Sequence, residues 1–367
     1  MKFCMSVYLL LLISSLFIAV INGILISLFL KKRNYENNKD RYVDFSIVIA
    51  FKDEAKNLSA LFSSLEKLKY PQTQFEVILV DDGSTDNSLQ LAIEFSKNCS
   101  NCKVISAKNK RYPGKKGALD FGISQARNNF IMITDADCKP SADWLASYSE
   151  YFNLGFDVIF GLAPFKQNEG FINKLSCFEN LRSSILTISL AELNLPYSAA
   201  ARNFAFTISA YNKLGGFSNT LETLSGDDDL FLREAIKNKL KIGVVKDEDA
   251  IVLSDSKSNL KDYLNQKARH TKTSFFYLPH HKLILGFWHS LNILLVLSLL
   301  LISINLFIIV PFFIKIISDI IVVRVAQKKL KYRFNLFEII FFQIVYELFL
   351  VINFLFALRK DISWKNQ

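Results

Sequence analysis

Long apolar runs occupy both ends of this chain, and short apolar runs alternating with helical periodicity fill its middle. Residues 3–30 are apolar with few interruptions and long enough to span a bilayer. The run exceeds a signal-peptide core, and no small-x-small cleavage site follows, so an uncleaved anchor is expected. Residues 283–323 are apolar for about two spans, broken softly near residues 303–305 and at Pro311. Residues 336–358 read as a further span. Glu338 and Glu347 are costly acids inside it, and a re-entrant or interfacial helix is the alternative there. Lys31, Lys32 and Arg33 follow the first run, with Lys39 and Arg41 beyond, and residues 324–333 form a basic loop. The positive-inside rule places these segments on the cytoplasmic side.

Between the apolar ends, residues 45–50 read as a strand. Leu58, Leu61, Phe62, Leu65 and Leu68 then recur at helical spacing, with Pro71 as the stop. Residues 76–80 predict a second strand, followed by a helix carrying Leu89, Ala92 and Ile93 that Ser84 or Asp86 can cap. Residues 103–106 predict a third strand, and Leu119, Ile123 and Ala126 the next helix. The run from Phe130 is the fourth strand and ends in Asp135-Ala136-Asp137. Beyond residues 157–161 the pattern loosens. Residues 171–195 read as a largely amphipathic helix near the membrane, and residues 201–209 as a strand leading into a helix and the Gly215-Gly216 turn. Residues 242–245 and 251–253 are short strands, and residues 260–278 a helix. This order predicts a mostly parallel α/β sheet with helices on both faces.

Ligands of such sheets bind beyond the C-terminal strand ends. Glu54, Asp82 and Asp137 each fall just past such an end. Asp135 and Asp137 offer hard oxygens suited to Mg²⁺ or Mn²⁺ shared with a phosphate, although a polar turn after a strand has the same composition. Residues 113–117, Pro-Gly-Lys-Lys-Gly, can bring an ammonium, Lys116, and backbone N–H groups to a phosphate, or form a solvated basic turn. The acids Asp227, Asp228 and Asp229 open a helix, where the helix dipole accounts for them in part; one of them is a candidate general base. Arg269 has a planar fork suited to phosphate but equally to a surface ion pair. No G-x-G-x-x-G and no G-x-x-x-x-G-K-[ST] occurs, which disfavours a dinucleotide fold and a P-loop.

The formal net charge of +10 meets no basic-aromatic stripe, so nucleic acid is not an expected partner; anionic lipid and a diphosphate fit it. The five cysteines are scattered, and Cys99 and Cys102 form a lone C-x-x-C. Zinc is not expected there, and reduced thiols are.

Several of these segments, in this order, resemble the inverting family 2 glycosyltransferases of the GT-A fold in their membrane-anchored bacterial form. The resemblance covers roughly residues 44–275 and the flanking spans. Residues 51–54 look like the family's first nucleotide-contacting loop, which includes Glu54. Residues 80–86 are close to its V-D-D-G-S-x-D signature, with Asp81 and Asp82, the second of which contacts the uracil or ribose. Asp135-Ala136-Asp137 matches the D-x-D that holds metal and diphosphate. Asp227 sits where the family places its acceptor-activating base. Gly226 replaces the usual Glu of that motif, which leaves Asp228 as a rival. Gln266, Lys267, Ala268 and Arg269 resemble Q-x-x-R-W, with His270 in place of the Trp. The stretch around Asn203 resembles the acceptor-side G-x-N-x-A-[FY], with Ala201 for Gly.

The resemblance implies a GT-A-type mostly parallel sheet flanked by helices, with N-terminal and C-terminal transmembrane helices. The expected organisation is an anchor over 1–30, a cytosolic glycosyltransferase domain over 31–282, a C-terminal region of two to three spans over 283–358, and a polar tail over 359–367. The chain is then a multi-pass protein of the plasma (inner) membrane with a cytoplasmic catalytic domain. Its implied donor is a nucleotide-diphosphate sugar, in particular a UDP-sugar. Its implied acceptor is lipid-linked or a glycan of the cell envelope, and its metal is Mg²⁺ or Mn²⁺. Two other classes stay open at this level, a non-catalytic transferase-like subunit and a nucleotidyltransferase making nucleotide-sugars.

Overall fold

The structure, a computed structural model, describes residues 2–32 and 42–358. Arg33, Lys39, Arg41 and the tail over 359–367 lie outside the described residues. The elements in chain order are α1 (Lys2–Leu30), β1 (Phe45–Phe51), α2 (Ala55–Leu65), β2 (Phe75–Asp81), α3 (Ser88–Lys97), β3 (Cys102–Ser106), α4 (Gly114–Ser124), β4 (Phe130–Ile133), β5 (Cys138–Pro140) and α5 (Trp144–Asn153). They continue with β6 (Val158–Gly161), α6 (Phe171–Glu192), β7 (Phe204–Thr207), α7 (Ile208–Lys213), α8 (Asp229–Lys237), β8 (Ile242–Val245), β9 (Val252–Ser254), α9 (Leu260–Ser274), α10 (Pro279–Leu297), α11 (Ile309–Lys329) and α12 (Leu336–Ala357).

Two compact units result. The first comprises Asn34–Lys166 and Pro196–Ser256, so far as described, and holds a seven-stranded sheet of order β3-β2-β1-β4-β7-β6-β8. The strands β3, β2, β1 and β4 are parallel neighbours, β7 is antiparallel to β4 and β6, and β8 is parallel to β6. All of β2 is buried, as a mostly apolar strand covered on both faces must be. The helix α2 buries Leu58, Leu61, Phe62 and Leu65, the face its spacing marks. On the other side, α4 comes close enough that a Cβ on Gly122 would lie 2.6 Å from Val48 and 2.7 Å from Val80. Register decides where the chemistry lies. Phe51 pairs with Asp81 and Val48 with Ile133, so the chain leaves β1, β2 and β4 at one edge of the sheet. Cys99 and Cys102 are disulfide-bonded in the turn before β3, where the sequence reading has reduced thiols.

The second unit contains α1, α6, α9, α10, α11 and α12. Four of its helical segments are long and apolar enough to cross a membrane, Met5–Leu30, Pro279–Leu301, Leu306–Lys329 and Leu336–Ala357. The unit also takes in Gln167–Leu195 and the segment from Lys257, stretches that the sequence boundary at 31–282 assigns to the soluble domain. The helix α6 is not amphipathic. It buries Leu175, Ser176, Cys177, Phe178 and Glu179 in succession, hence positions on every side. Glu179 accepts from Tyr263 Oη at 2.8 Å and pairs with Lys267 at 2.8 Å, which ties α9 to it.

The two acids of the last span are both accounted for, and α12 is one continuous helix. Glu338 closes a capping box with Asn335 and pairs with Lys174 at 3.0 Å. Glu347 is buried, 4.0 Å from Lys315. Lys315 donates to Asp319 at 2.6 Å, Asn22 of α1 donates to Asp319 at 2.9 Å, and Arg182 of α6 lies 3.2 Å from it. Acids in an apolar bundle persist only when paired in this way. Asp319→Ala strands two buried cations, and the expected loss is about 3–5 kcal/mol of stability. Thermal unfolding in detergent measures it. Removing all four charges together, with Arg182→Leu, Lys315→Met, Asp319→Leu and Glu347→Leu, is expected to recover most of the loss. A single variant that melts with the wild type would contradict this role for the network.

Candidate active site

Two loops at the sheet edge are laced to each other by side chains. Asp53 sits in the left-handed region at φ 53° and accepts from Thr85 N at 2.7 Å and Thr85 Oγ1 at 3.1 Å. In return, Ser84 Oγ accepts from Asp53 N at 3.1 Å, Ser88 Oγ from Glu54 N at 2.7 Å, and Asp86 from Ala55 N at 3.2 Å. Asp86 also accepts from Ser88 N at 2.9 Å, so of the two capping candidates it is Asp86 that bonds the first amide of α3. Asp81 is buried and accepts from Ser84 N at 3.1 Å, which shapes the turn through Gly83. Asp82 is buried too. One of its oxygens pairs with Lys110, while Oδ2 has no protein partner among the described residues. A buried carboxylate oxygen left open is expensive unless a ligand N–H or O–H reaches it. Glu54 accepts from Asn57 Nδ2 at 2.6 Å.

Past β4, Thr134 Oγ1 donates to the Arg202 carbonyl at 2.8 Å and fixes the start of the Asp135–Asp137 turn. Asp135, Asp137 and Cys138 bring ligand atoms within 4.8 Å of one another. Burial, then repulsion from Asp135, pushes the Asp137 carboxyl above its ordinary pKa, and Arg202 offsets this in part. Burial and the neighbouring Asp137 push the Cys138 thiol well up. The protonated thiol donates to Asp137 at 3.4 Å in the metal-free structure. The remaining donors are two carboxylates that repel each other, a set that fits a hard divalent cation and not a soft one.

The lysine at this site is Lys115. Its ammonium lies 2.7 Å from Asp135 and 2.7 Å from Asp227, joining the end of β4 to the loop before α8. Burial opposes its charge, but the two carboxylates raise its pKa, so it remains an ammonium. Burial likewise opposes ionisation of Asp227, and Lys115 then Lys116 hold its pKa below the ordinary value. Lys116, the residue expected at the phosphate, points elsewhere. It is 1% exposed and donates to the carbonyls of Thr220 and Thr223, the latter at 3.0 Å. Burial lowers its pKa to about 8. Lys116→Met leaves both carbonyls without this donor, and a loss of about 2 kcal/mol is expected. Thermal unfolding checks it, and unchanged melting would show that the loop before Asp227 has other anchors.

The three acids of residues 227–229 separate by their partners. Asp228 accepts from Ala201 N at 2.7 Å and from Asp229 N at 2.7 Å, capping α8. Burial, then Asp229 and Asp227, raise its pKa well above the ordinary range. Asp229 accepts from Ser198 Oγ at 2.8 Å and Ala199 N at 2.9 Å. Asp227 alone of the three is tied to Lys115 and hence to the Asp135 side of the site. Asn203, expected to touch substrate, is fully buried and saturated. Its Oδ1 accepts from Trp144 Nε1 at 2.8 Å and Tyr148 Oη at 2.7 Å, and its Nδ2 donates to Leu162 O at 2.8 Å and Ala250 O at 3.0 Å. An amide with both donors and both acceptor sites used holds the scaffold and has nothing left for a ligand. Gln266 and Arg269 are half-buried on α9, in the unit of apolar helices.

Sequence reading missed Lys115, Lys110 and Arg202. The glycine-bounded pair at residues 115–116 did mark the place. Adjacent helical residues point about 100° apart, and composition does not say which of them faces the acids.

A family model described as glycosyl transferase family 2 matches residues 46–215. The chain is 26% identical over 192 residues to glycosyltransferase AglE of Haloferax volcanii, covering 50% of this chain and 58% of that protein. It is 31% identical over 118 residues to β-monoglucosyldiacylglycerol synthase of Nostoc sp., covering 32% of this chain and 25% of that one. The chain therefore spans less than two thirds of either relative. Among solved structures, mannosyltransferase PcManGT from Pyrobaculum calidifontis, in complex with GDP-Man and Mn²⁺, aligns over 96% of this chain and 99% of its own. The TM-score is 0.60 at 13% identity, a likeness of fold. The matched stretch starts on β1, runs through the Asp82 and Asp137 turns and ends past β7, which makes residues 46–215 a glycosyl transferase family 2 domain.

Proposed function

We propose that this chain is a membrane-bound, metal-dependent, inverting glycosyltransferase that moves a sugar from a nucleotide-diphosphate donor, in particular a UDP-sugar, to a hydroxyl of a lipid-linked or glycan acceptor of the cell envelope. The observation that carries the reading is the single ammonium of Lys115 lying 2.7 Å from both Asp135 and Asp227. In support of the reading, Asp135 and Asp227 lie within reach of one side chain.

In this reading the open oxygen of Asp82, with Glu54, takes the nucleoside. Asp137 and Asp135 would hold a divalent cation, Mg²⁺ or Mn²⁺. When bound, the cation neutralises charge that develops on the leaving nucleotide. Lys115 turns from Asp227 towards the diphosphate as the donor enters and adds to that neutralisation. Asp227, released, accepts the proton of the acceptor hydroxyl. The acceptor oxygen bonds to the anomeric carbon from the face opposite the diphosphate, and the carbon–oxygen bond to the diphosphate breaks with its electron pair leaving on the nucleotide. Gln266 and Arg269, on α9, are proposed as further residues needed for transfer. Four membrane-length helices in the same chain suit an acceptor that is itself anchored in lipid. The proposed setting is a plasma membrane with the catalytic domain cytoplasmic, supported by the basic stretch over 324–333, which ends α11 and continues into the turn before α12.

The test is release of nucleotide diphosphate by the detergent-purified chain from a panel of nucleotide-sugars, with a total lipid extract and with Mn²⁺ or EDTA. Metal-dependent release from one donor supports the proposal and names the sugar. Release of pyrophosphate from a sugar phosphate and a nucleoside triphosphate would replace it with a nucleotidyltransferase. No release and no UDP binding would replace it with a non-catalytic subunit.

A further inference from the structure

The α11–α12 hairpin carries a second polar feature that the transfer reaction does not use. A cavity of about 890 Å³ opens where α11 ends and α12 begins, lined in part by Lys174, Arg324, Lys328, Lys331, Arg333 and Glu338. Charge there is lopsided. Glu169 and Glu338, the cavity's two acids, both pair with Lys174, at 2.9 and 3.0 Å. Arg324, Lys328, Lys331 and Arg333 are exposed and make no ion pair among the described residues. Four like charges within one hairpin repel one another and favour an anion between them.

The wall of the cavity is fixed rather than floppy. Arg333 N donates to Gln167 Oε1 at 2.6 Å, and Gln167 Nε2 donates back to Arg333 O at 3.2 Å. Phe334 N donates to Gln327 Oε1 at 2.8 Å, Tyr332 Oη to Asn180 Oδ1 at 2.8 Å, and the Phe334 ring packs edge-on against Phe178 at 5.5 Å. Lys331 is held in the left-handed region at φ 59°. A loop pinned this way presents its cations without first paying to order them.

The neighbouring surface indicates what kind of anion fits. Leu306–Lys329 and Leu336–Ala357 are both membrane-length, so their shared end lies at headgroup level when they span. Ile321, Phe337 and Phe341 stand 56%, 84% and 51% exposed beside the cations. A phosphate flanked by acyl chains satisfies both surfaces at once, whereas a soluble anion leaves the apolar one bare. We infer that this hairpin is a binding site for the phosphate headgroup of an anionic phospholipid, with Arg324, Lys328, Lys331 and Arg333 on the phosphate and the flanking apolar residues against the acyl chains. The inference does not depend on the proposed transfer reaction.

Native mass spectrometry of the full chain, purified in detergent and exposed to equal amounts of phosphatidylglycerol and phosphatidylcholine, tests it. The expected result is a retained phosphatidylglycerol preferred over phosphatidylcholine. Retention should fall about tenfold or more when Arg324, Lys328, Lys331 and Arg333 are all changed to Gln. A chain with Lys56, Lys67, Lys97 and Lys239 changed to Gln loses the same charge elsewhere and should retain the lipid. So should Arg324→Lys with Arg333→Lys, which keeps charge at the hairpin. Equal retention of both lipids, or of phosphatidylglycerol by the four-Gln hairpin variant, would overturn the site. Displacement of the lipid by millimolar inorganic phosphate would reassign it to a soluble anion and overturn the lipid reading.

Discussion

Asp227→Asn is expected to lower sugar transfer by about 10²–10⁴-fold with the protein still folded, the range for loss of a positioned general base. Asn keeps the size of the side chain and its contact with Lys115 but cannot take the acceptor proton. The neighbouring exchange Asp228→Asn is expected to act differently. Asp228 spends its oxygens on two backbone amides, so its loss weakens the α8 cap by about 1 kcal/mol and leaves transfer by the folded fraction within a few-fold. Released nucleotide diphosphate, normalised to folded protein, separates the two. Wild-type turnover by Asp227→Asn together with loss in Asp228→Asn would move the base to Asp228. The pH profile adds a second readout. Lys115 holds the Asp227 pKa below its ordinary value against the effect of burial. In the donor-free enzyme, where Lys115 still faces Asp227, the base therefore stays ionised as pH falls through the usual carboxylate range, and the acid limb of kcat/KM lies below it. In Lys115→Met burial is no longer opposed by that ammonium, so the limb should move to higher pH. An unmoved limb would mean that Asp227 does not set it.

Much of the sheet was legible because its strands are buried on both faces and hence mostly apolar, as in β1 and β2, where the inner Ser46 and Glu76 bond each other. The acids Asp82, Asp135 and Asp137 were legible for the opposite reason, as charge placed at the ends of such runs. What was not legible depends on partners distant in sequence. Lys115 and Lys116 are equal in composition, yet one meets Asp135 and Asp227 and the other the carbonyls of residues 220 and 223. Asn203 sits in a motif with a functional look, but Trp144, Tyr148, Leu162 and Ala250 use up its hydrogen bonds. The helices α6 and α9 carry enough charge to read as soluble. Their charges are instead spent inside the unit of apolar helices, Arg182 on Asp319 and Lys267 on Glu179, pairs separated by more than eighty residues. Periodicity registers which face of a helix is apolar; it does not register a charge neutralised by a helix elsewhere in the chain.

Asp137→Asn is expected to abolish metal binding at the sheet edge and to cut metal-dependent transfer by about 100-fold or more, given that a catalytic cation contributes several kcal/mol. The physical ground is that burial, and then repulsion from Asp135, raise the Asp137 pKa in the metal-free protein. Two carboxylates held together against their own repulsion are a cost to the empty fold and a gain once a divalent cation sits between them. The signs of two measurements therefore differ. Without metal, Asp137→Asn relieves the repulsion, and its melting temperature should equal or exceed that of the wild type. With Mn²⁺ and UDP, the wild type should be stabilised by binding to the native state alone, and the variant should not. Calorimetric titration of Mn²⁺ in the presence of UDP reads the same loss without reference to turnover. A variant that binds Mn²⁺ as the wild type does would remove Asp137 from the metal site. A variant that melts well below the wild type without metal would make Asp137 a structural residue, and Asp135 with Lys115 would then have to account for the diphosphate by themselves.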